Sequence, residues 1–379
     1  MFGFKILKQS VKSRARIGVI STPHGDIETP AFVPVATRAS VRLLDSATLD
    51  TLGSQLLICN TFHLHITPGE QVVKKSGGLH SFMQWRKPLM TDSGGFQVFS
   101  MGFGTDHGVG KILKDEPGER LEKSAQPKHI KITEEGVEFR SPLDGAKLFL
   151  GPEESIRIQE DLGADIIFAF DECPSPLASA EYMRESIART HRWATRCIDA
   201  RTRNDQALYG IVQGGGFNDM RIESARTLGA MDVEGFGIGG EFGYDKQALC
   251  DVVSLTTAEL PQEKPRHLLG VGHPEDFNYI AMGGADTFDC IAPTHYASHG
   301  TAFTHAGRID LNKAEYLNAH EPLDAACLCN VCATYSRAYL SHLMRAKELT
   351  GMMLLTTHNV HYLNTLARNV RDAIARGDL

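Results

Sequence analysis

The sequence predicts a (β/α)8 barrel, also called a TIM barrel, for most of its 379 residues. Short apolar runs of strand-like composition recur along the chain. The segments between them carry helical patterns, with acidic residues early and Gly or Arg late. Strands that alternate with helices indicate parallel βαβ units. Eight such units at this length favour a closed barrel over an open, doubly wound sheet.

Eight apolar runs are the predicted strands, and the clearest helical patterns between them cover 151–163 and 179–201. In chain order the predicted strands are residues 31–36, 55–60, 88–92, 165–171, 207–213, 234–239, 266–272 and 286–293. If they form a barrel, functional residues are expected at the carboxyl ends of the strands.

Two regions break the alternation of strands and helices. Residues 100–145 are rich in Gly, Lys and Glu, and their second part, 129–145, predicts hairpins, so we expect an excursion after the third strand. From about residue 312 the chain becomes helical and contains a cluster of cysteines. The sequence therefore predicts a barrel over 1–311, including the excursion, and a helical subdomain over 312–379 that packs on it.

Composition narrows the class of protein without naming a function. A formal net charge of −7 and a pI near 6.1 give no global nucleic-acid footprint, so RNA binding would need a local basic face.

No apolar run approaches the roughly 18 residues of a membrane span. None follows the basic start either, so we expect no signal peptide. Most of the cysteines are scattered singly, which is typical of free thiols in a reducing compartment, and we expect a cytoplasmic protein.

The stretch "CLCNVC" predicts a metal site. Cys327, Cys329 and Cys332 lie too close in sequence for unstrained disulfides, and a tetrahedral zinc ion would need one more ligand. The candidate fourth ligands are His342, His358 and His361. We favour His358, because the chain can turn back over the cluster after Gly351. Four protein ligands leave no position for water, so such a zinc ion would be structural, with unligated thiols as the alternative.

Polar side chains and glycines gather where the predicted strands end. They are Asp92, Asp171, Gln213, Gly239, Gly240 and Asp289. A single Asp at a strand end is more often a helix N-cap than a catalyst, and Gly-Gly pairs are usually tight turns. Three carboxylates at separate strand ends, beside glycines that let a flat ligand approach the backbone, nevertheless favour a site. The residues alone predict a carboxylate-based transferase or hydrolase on a barrel.

Seven motifs together resemble those of the tRNA-guanine transglycosylase family. They follow the family's order over about residues 14–370 and are "TDSGGFQVFS", "FAFDEC", "YGIVQGG", "GIGGE", "GVGHPEDF", "DTFDCIAPT" and "CLCNVC" with a later histidine. The resemblance implies a (β/α)8 barrel with one structural Zn²⁺ per chain, bound by Cys327, Cys329, Cys332 and His358. It also implies a homodimer with the metal subdomain near the interface.

The resemblance further implies base exchange, in which guanine in a tRNA anticodon is replaced by a 7-deazaguanine base. Asp289 would attack the anomeric carbon of the ribose and form a covalent glycosyl–enzyme. Asp92 would shuttle protons to the leaving guanine and from the incoming base. Two displacements of this kind are similar to those of a retaining glycosidase, with a base in place of water. No nicotinamide, flavin or nucleotide is required.

The base-binding residues are also assigned by the resemblance. Asp171 would accept hydrogen bonds from the ring N–H and the amino group of the purine. Gln213 and the backbone N–H of Gly240 would donate to its carbonyl oxygen. Phe96 and Leu269 would enclose the flat ring between them. Ser93 would order Asp92 or contact the base.

The RNA-binding positions depart from the family pattern. Where bacterial members use one Lys and two Arg to hold the uridines that flank the target guanine, this chain has His273, His295 and Ser298. Lys and Arg contacts usually dominate RNA affinity, so we expect altered recognition of a tRNA with a GUN anticodon. Lysines of the excursion could restore the charge, although neighbouring acids are equally consistent with a solvated loop. They are Lys111, Lys114, Lys123, Lys128 and Lys131.

The incoming base and the polynucleotide are left open. Gly243 matches members that use queuine, whereas Cys173 matches members that use the 7-aminomethyl base. One alternative function is base exchange on DNA or at another tRNA position. Another is a non-catalytic partner subunit, which should lack the pair of catalytic carboxylates, but both Asp92 and Asp289 are present.

Overall fold

The computed structural model describes residues 2–99 and 130–379. Eight of its strands form a central sheet, and the others form three small antiparallel sheets. In chain order the strands are β1 (Gly3–Gln9), β2 (Arg16–Thr22), β3 (Gly25–Thr29), β4 (Ala31–Pro34), β5 (Leu57–Cys59), β6 (Leu89–Thr91), β7 (Lys131–Ile132), β8 (Val137–Arg140), β9 (Lys147–Leu150), β10 (Ile166–Phe168), β11 (Ala207–Val212), β12 (Gly235–Ile238), β13 (Arg266–Leu268), β14 (Thr287–Cys290), β15 (Thr301–Thr304) and β16 (Gly307–Asp310).

Helices alternate with the central strands. In chain order they are α1 (Ser46–Thr51), α2 (Thr61–Ile66), α3 (Glu70–Lys75), α4 (Gly78–Met83), α5 (Pro152–Leu162), α6 (Ala180–Ala200), α7 (Asn218–Gly229), α8 (Lys246–Ala258), α9 (Phe277–Met282), α10 (Ala292–Ser298), α11 (Asn330–Thr334), α12 (Arg337–Arg345) and α13 (Leu349–Arg376). The predicted helices at 151–163 and 179–201 are therefore confirmed as α5 and α6. None of the helices in the described residues combines the length and apolar character needed to cross a membrane.

The eight central strands form a parallel barrel. Their order is β4-β14-β13-β12-β11-β10-β6-β5, and each neighbouring pair is parallel. A parallel bridge between Val35 and Ile58 joins the two outer strands of this order and closes the barrel. These are the eight strands that the sequence predicts, so the predicted fold class is confirmed.

The sheet β1–β3 closes one end of the barrel. Strand β3 ends directly before β4 begins, which places this sheet at the amino ends of the barrel strands. Its buried side chains Ile20 and Ile27 join the apolar cluster inside the barrel, where the rings of Phe168 and Tyr209 pack with centroids 5.4 Å apart. Apolar side chains therefore fill this end of the barrel. The polar side chains that follow the strands lie at the opposite end, where the carboxyl ends of the strands meet.

The described part of the excursion after the third strand is the antiparallel sheet β7-β8-β9. The hairpin β7–β8 lies within the predicted range 129–145, and β9, whose Leu150 pairs with Val137, extends the sheet beyond it. Lys131 is exposed and its ammonium lies 3.9 Å from the carboxylate of Glu138. The other lysines considered for RNA contact lie outside the described residues: Lys111, Lys114, Lys123 and Lys128.

The long helix α13 connects the cysteine cluster to the barrel. His358, in its first half, lies against the cysteines. Further along, Asn364 donates to the carbonyl of Leu52 at 3.0 Å, and Arg371 donates to the carbonyl of Pro30 at 2.9 Å, just before β4. The predicted division into barrel and subdomain stays a prediction, because this helix packs against both.

Candidate active site and metal centre

A cavity of about 590 Å³ opens at the carboxyl ends of the barrel strands. The barrel brings together side chains that are far apart in the sequence, because each follows a different strand. All of the predicted catalytic and base-binding residues line this cavity, and so does the first of the predicted RNA-binding residues. They are Asp92, Ser93, Phe96, Asp171, Gln213, Gly240, Leu269, His273 and Asp289.

Asp92 is half-buried at the end of β6 and is surrounded by hydrogen-bond donors. Its Oδ1 accepts from the backbone N–H groups of Thr61 at 2.8 Å and Gly94 at 3.2 Å. Its Oδ2 accepts from the side-chain amides of Gln97, at 2.7 Å, and Asn60. Burial raises the pKa of the Asp92 carboxyl, and these four hydrogen bonds offset only part of that rise. A fixed carboxyl group with a raised pKa is suited to general acid–base work.

Asp289, on β14, is also held in place, but by one oxygen only. Its Oδ1 accepts from the backbone N–H of Gly270 at 2.8 Å and lies 3.1 Å from Nε2 of His267. The residue is 9% exposed and faces the cavity. Sequence reasoning missed His267, because a histidine inside an apolar strand reads as a core residue. The only available signal was its position two residues before Leu269, which predicts that both side chains point to the same face of the strand.

Asp171 anchors the polar group at the predicted base-binding side. Ser93 donates from its hydroxyl to Oδ1 of Asp171 at 3.0 Å, and Gln213 donates from its amide to Oδ2 at 2.7 Å. Oδ1 and Oδ2 are therefore both hydrogen-bonded to residues from neighbouring strands. Gly240 has a φ of +89°, and a Cβ there would lie only 2.8 Å from Oε1 of Gln213. The position therefore requires glycine, for its conformation and for the close approach of the backbone.

A buried arginine that the sequence did not indicate supports two of the cavity loops. The guanidinium of Arg221, on α7, donates to the carbonyls of Gly215 at 3.1 Å, Gly239 at 3.1 Å and Glu241 at 2.8 Å. Burial lowers the pKa of Arg221 to about 10. Its partners are backbone carbonyls, which a sequence pattern cannot locate. Arg221 thus fixes the backbone on either side of Gly240.

Three cysteines and one histidine form a second cluster, away from the cavity. Nδ1 of His358 lies 3.7, 3.5 and 3.3 Å from the Sγ atoms of Cys327, Cys329 and Cys332. In a tetrahedral zinc site with typical Zn–S and Zn–N bonds, that separation would be about 3.6 Å. The other ring nitrogen of His358 lies 2.7 Å from the carbonyl of Phe303, an arrangement that orients metal-binding histidines. The cluster is therefore compatible with a structural metal ion.

Comparison with known proteins decides the family. A sequence model of the family described as queuine tRNA-ribosyltransferase matches residues 10–379. The chain belongs to the queuine tRNA-ribosyltransferase family. The resemblance inferred from the motifs is thereby confirmed, and the chain is an enzyme, a pentosyltransferase.

Several curated relatives are similar over nearly their whole length. The queuine tRNA-ribosyltransferase of Halothermothrix orenii is 44% identical over 372 residues, 98% of this chain and 93% of the relative. That of Herpetosiphon aurantiacus is 45% identical over 376 residues, 99% of this chain and 89% of the relative. A putative queuine tRNA-ribosyltransferase of Archaeoglobus fulgidus is 43% identical over 380 residues, 96% of this chain and 94% of the relative.

The histidines that depart from the family pattern lie around one tyrosine at the mouth of the cavity. The rings of His273 and His295 have centroids 5.5 and 5.7 Å from that of Tyr296. Ser298 donates to the carbonyl of His295 at 2.8 Å. Arg308, which sequence reasoning missed, lies over the same ring and donates to its hydroxyl at 3.0 Å. A cation therefore lies beside this tyrosine, although the three predicted RNA-binding positions carry neither Lys nor Arg.

A second group with metal-ligand chemistry, His24, His80 and Asp165, is better explained as a network of polar contacts. Both histidines lie near the Asp165 carboxylate, at 2.7 and 3.2 Å. Their rings, however, are stacked, with centroids 3.5 Å apart and planes 15° from parallel. A metal ion binds imidazole nitrogen in the plane of the ring, and no point lies in two stacked planes. This group instead links the β2–β3 turn to α4 and to the start of β10.

Proposed function

We propose that this enzyme exchanges guanine in a tRNA anticodon for a 7-deazaguanine base, as a step of queuosine tRNA modification. The observation that carries the proposal is the pair of carboxylates on one cavity. Asp92 accepts hydrogen bonds at both oxygens and has a raised pKa, whereas Asp289 is held by one oxygen. This difference in environment fits an acid–base residue and a nucleophile, respectively.

The proposed reaction consists of two displacements at the anomeric carbon of the ribose. In the first, a carboxylate oxygen of Asp289 forms a bond to that carbon and the bond to guanine breaks. The electron pair passes to the purine, which takes a proton from Asp92. In the second, the incoming base gives a proton to Asp92 and attacks the same carbon, and the bond to Asp289 breaks. The carboxylate is regenerated and no water is consumed.

The proposed base site uses the polar group around Asp171. Its carboxylate would accept from the N–H groups of the purine, and Gln213 and the Gly240 N–H would donate to the carbonyl oxygen. Oε1 of Gln213 is buried without a hydrogen-bond partner in the part of the chain that the structure describes, so a ligand N–H could pair with it. Phe96 and Leu269, which follow different strands of the barrel, would enclose the ring. The choice between queuine and the 7-aminomethyl base stays open.

Incorporation of labelled guanine into total tRNA, followed by mapping of the labelled nucleotide, tests the proposal. Label at the wobble guanine of tRNAs with a GUN anticodon supports it. Label at another tRNA position, or only in DNA offered in parallel, would favour the related base-exchange enzyme. No label in any nucleic acid would contradict base exchange altogether.

We propose that the metal ion is a single structural Zn²⁺ per chain and that the subunits form a homodimer near it. Thiolates and one imidazole suit zinc, and four protein ligands leave no open coordination position. Several large apolar side chains of this subdomain are exposed to solvent, as is typical of a surface that is covered by another subunit. They are Leu328 at 91%, Leu349 at 66%, Tyr339 at 43%, Met353 at 41% and Leu317 at 40%.

Replacement of Cys329 by Ser is expected to remove the zinc, to lower Tm by at least about 5 °C and to weaken the dimer, because metal binding contributes folding free energy. Elemental analysis, calorimetry and sedimentation measure the three effects. Enzyme that remains folded should still exchange guanine. Cys250→Ser, at a single cysteine on α8, is the matched control and should keep the metal. Full zinc content and unchanged Tm in Cys329→Ser would argue against the site.

The mouth of the cavity is the proposed contact for the nucleotides around the target guanine. Burial lowers the pKa of His273, so this side chain adds little positive charge at neutral pH. His273→Lys is therefore expected to tighten tRNA binding and to steepen the slope of log K against log salt by about 0.7–0.9, the value of one phosphate contact. Filter binding at several salt concentrations measures it. His320→Lys adds the same charge at an exposed position outside the cavity, and an equal change there would refute a local contact.

A further inference from the structure

The nucleophile proposed above is connected to a buried histidine that its role does not require. His267 is completely buried in β13, next to β14. Its Nδ1 lies 2.8 Å from the hydroxyl of Thr287 and its Nε2 lies 3.1 Å from Oδ1 of Asp289. Thr287 and Asp289 are two residues apart on β14, so both point to the inner face where His267 lies. The three side chains form one continuous chain of polar contacts beneath the cavity.

The direction of these hydrogen bonds follows from the chemistry of the groups. An ionised carboxylate can only accept, so the hydrogen between His267 and Asp289 belongs to Nε2. In that tautomer Nδ1 accepts from the hydroxyl of Thr287. The carboxylate of Asp289 thus determines which ring nitrogen carries the hydrogen, and Thr287 orients the ring by donating to the other nitrogen.

The two oxygens of Asp289 consequently differ. Oδ1 takes two donors, the Nε2–H of His267 and the backbone N–H of Gly270 at 2.8 Å. No hydrogen bond from the described residues reaches Oδ2. We propose that His267 is a positioning residue. Its hydrogen bond holds Oδ1 of Asp289 in place, so that Oδ2 is the oxygen that attacks the ribose. This assignment rests on the proposed base exchange through Asp289.

The same arrangement affects the second displacement. In the covalent intermediate Oδ2 is the ester oxygen, and Oδ1 is a carbonyl oxygen that still faces both donors. When the incoming base attacks, the ester bond breaks and negative charge returns to the carboxylate. Hydrogen bonds to a charged acceptor are stronger than those to a neutral one. His267 therefore stabilises the departing carboxylate and favours breakdown of the intermediate.

The test follows the covalent intermediate in the full-length enzyme with tRNA, using labelled guanine as the incoming base. His267→Leu removes the donor at similar volume and is expected to slow breakdown of the adduct by about 10-fold to 100-fold. The fraction of enzyme in the denaturation-resistant adduct should rise at steady state, while KM for guanine stays within about twofold. His267→Gln, which can still offer an N–H to Asp289, should recover most of the rate. Unchanged Tm in both variants would exclude a general loss of folding.

The possible failures are distinguishable. If wild-type enzyme forms no adduct with any tRNA, the proposed function itself fails, and the role of His267 fails with it. If wild type forms the adduct and His267→Leu breaks it down at the same rate, or loses adduct in parallel with activity, the positioning role alone is overturned. A Gln variant as slow as the Leu variant, with normal Tm, also overturns it, because the donor would then be irrelevant.

Discussion

Asp289→Asn is expected to abolish base exchange, lowering kcat by at least about 10⁴-fold, as the loss of a nucleophile does in other covalent catalysts. The amide cannot form the bond to the ribose. Its oxygen can still accept from Gly270 and His267, so the variant should fold with nearly unchanged Tm. Incorporation of labelled guanine into tRNA and a denaturing gel for the protein–RNA adduct both measure the loss.

The matched control for this variant is Asp199→Asn, the same chemical change at an exposed position on α6, outside the barrel mouth. It should retain full activity. A persistent adduct in Asp289→Asn would mean that another side chain is the nucleophile. A persistent exchange without any adduct would mean that the two bases exchange by direct displacement.

Asp92→Asn should lower the rate of exchange by about 10²-fold to 10⁴-fold, the usual contribution of a general acid–base residue. In the Asn variant the backbone N–H groups of Thr61 and Gly94 can still donate to the amide oxygen. The side-chain amides of Asn60 and Gln97 can rotate to accept from the new NH2 group, so the loss would come from proton transfer and not from position. Single-turnover measurements of adduct formation and breakdown would separate the two proton-transfer steps.

The pH dependence has a definite sign. Burial raises the pKa of Asp92, so the side chain keeps its proton to a higher pH than an exposed aspartate does. Adduct formation needs the protonated acid, and its rate should fall as pH rises through that raised pKa. The Asn variant should lack this limb of the profile. Because the pKa of Asp92 is higher in the folded than in the unfolded state, its protonated form adds to the free energy of unfolding at low pH. This contribution is lost as pH rises through the pKa of the folded state. A limb that survives in Asp92→Asn would assign the titration to another group.

Much of the architecture could be predicted because barrel strands leave a strong local signal. Each strand is a short apolar run between helical segments, and the closed parallel sheet then determines that strand ends meet. That geometric rule, applied to Asp92, Asp171 and Asp289, is enough to predict that three carboxylates far apart in the chain share one cavity. The cluster of cysteines was predictable for a different reason, since its three thiols are neighbours in sequence.

The residues that the sequence did not reveal act through the backbone or from within the core. Arg221 donates to three carbonyls, and His267 lies in a strand whose residues are all buried. Neither has a local pattern that separates it from an ordinary buried side chain. Arg308 was missed because the hairpin β15–β16 brings it to Tyr296 through tertiary contact alone.

The position of α13 in the chain has a consequence for the order of folding. This helix covers β4, the first barrel strand, yet it follows every other barrel element in the sequence. The contact between Arg371 and Pro30 closes a loop of most of the chain, which is slow to form and costs entropy. A nascent chain therefore exposes one apolar face of its barrel until synthesis is nearly finished. Metal binding at His358 would anchor the helix that ends this exposure, and thereby link zinc supply to the yield of folded enzyme.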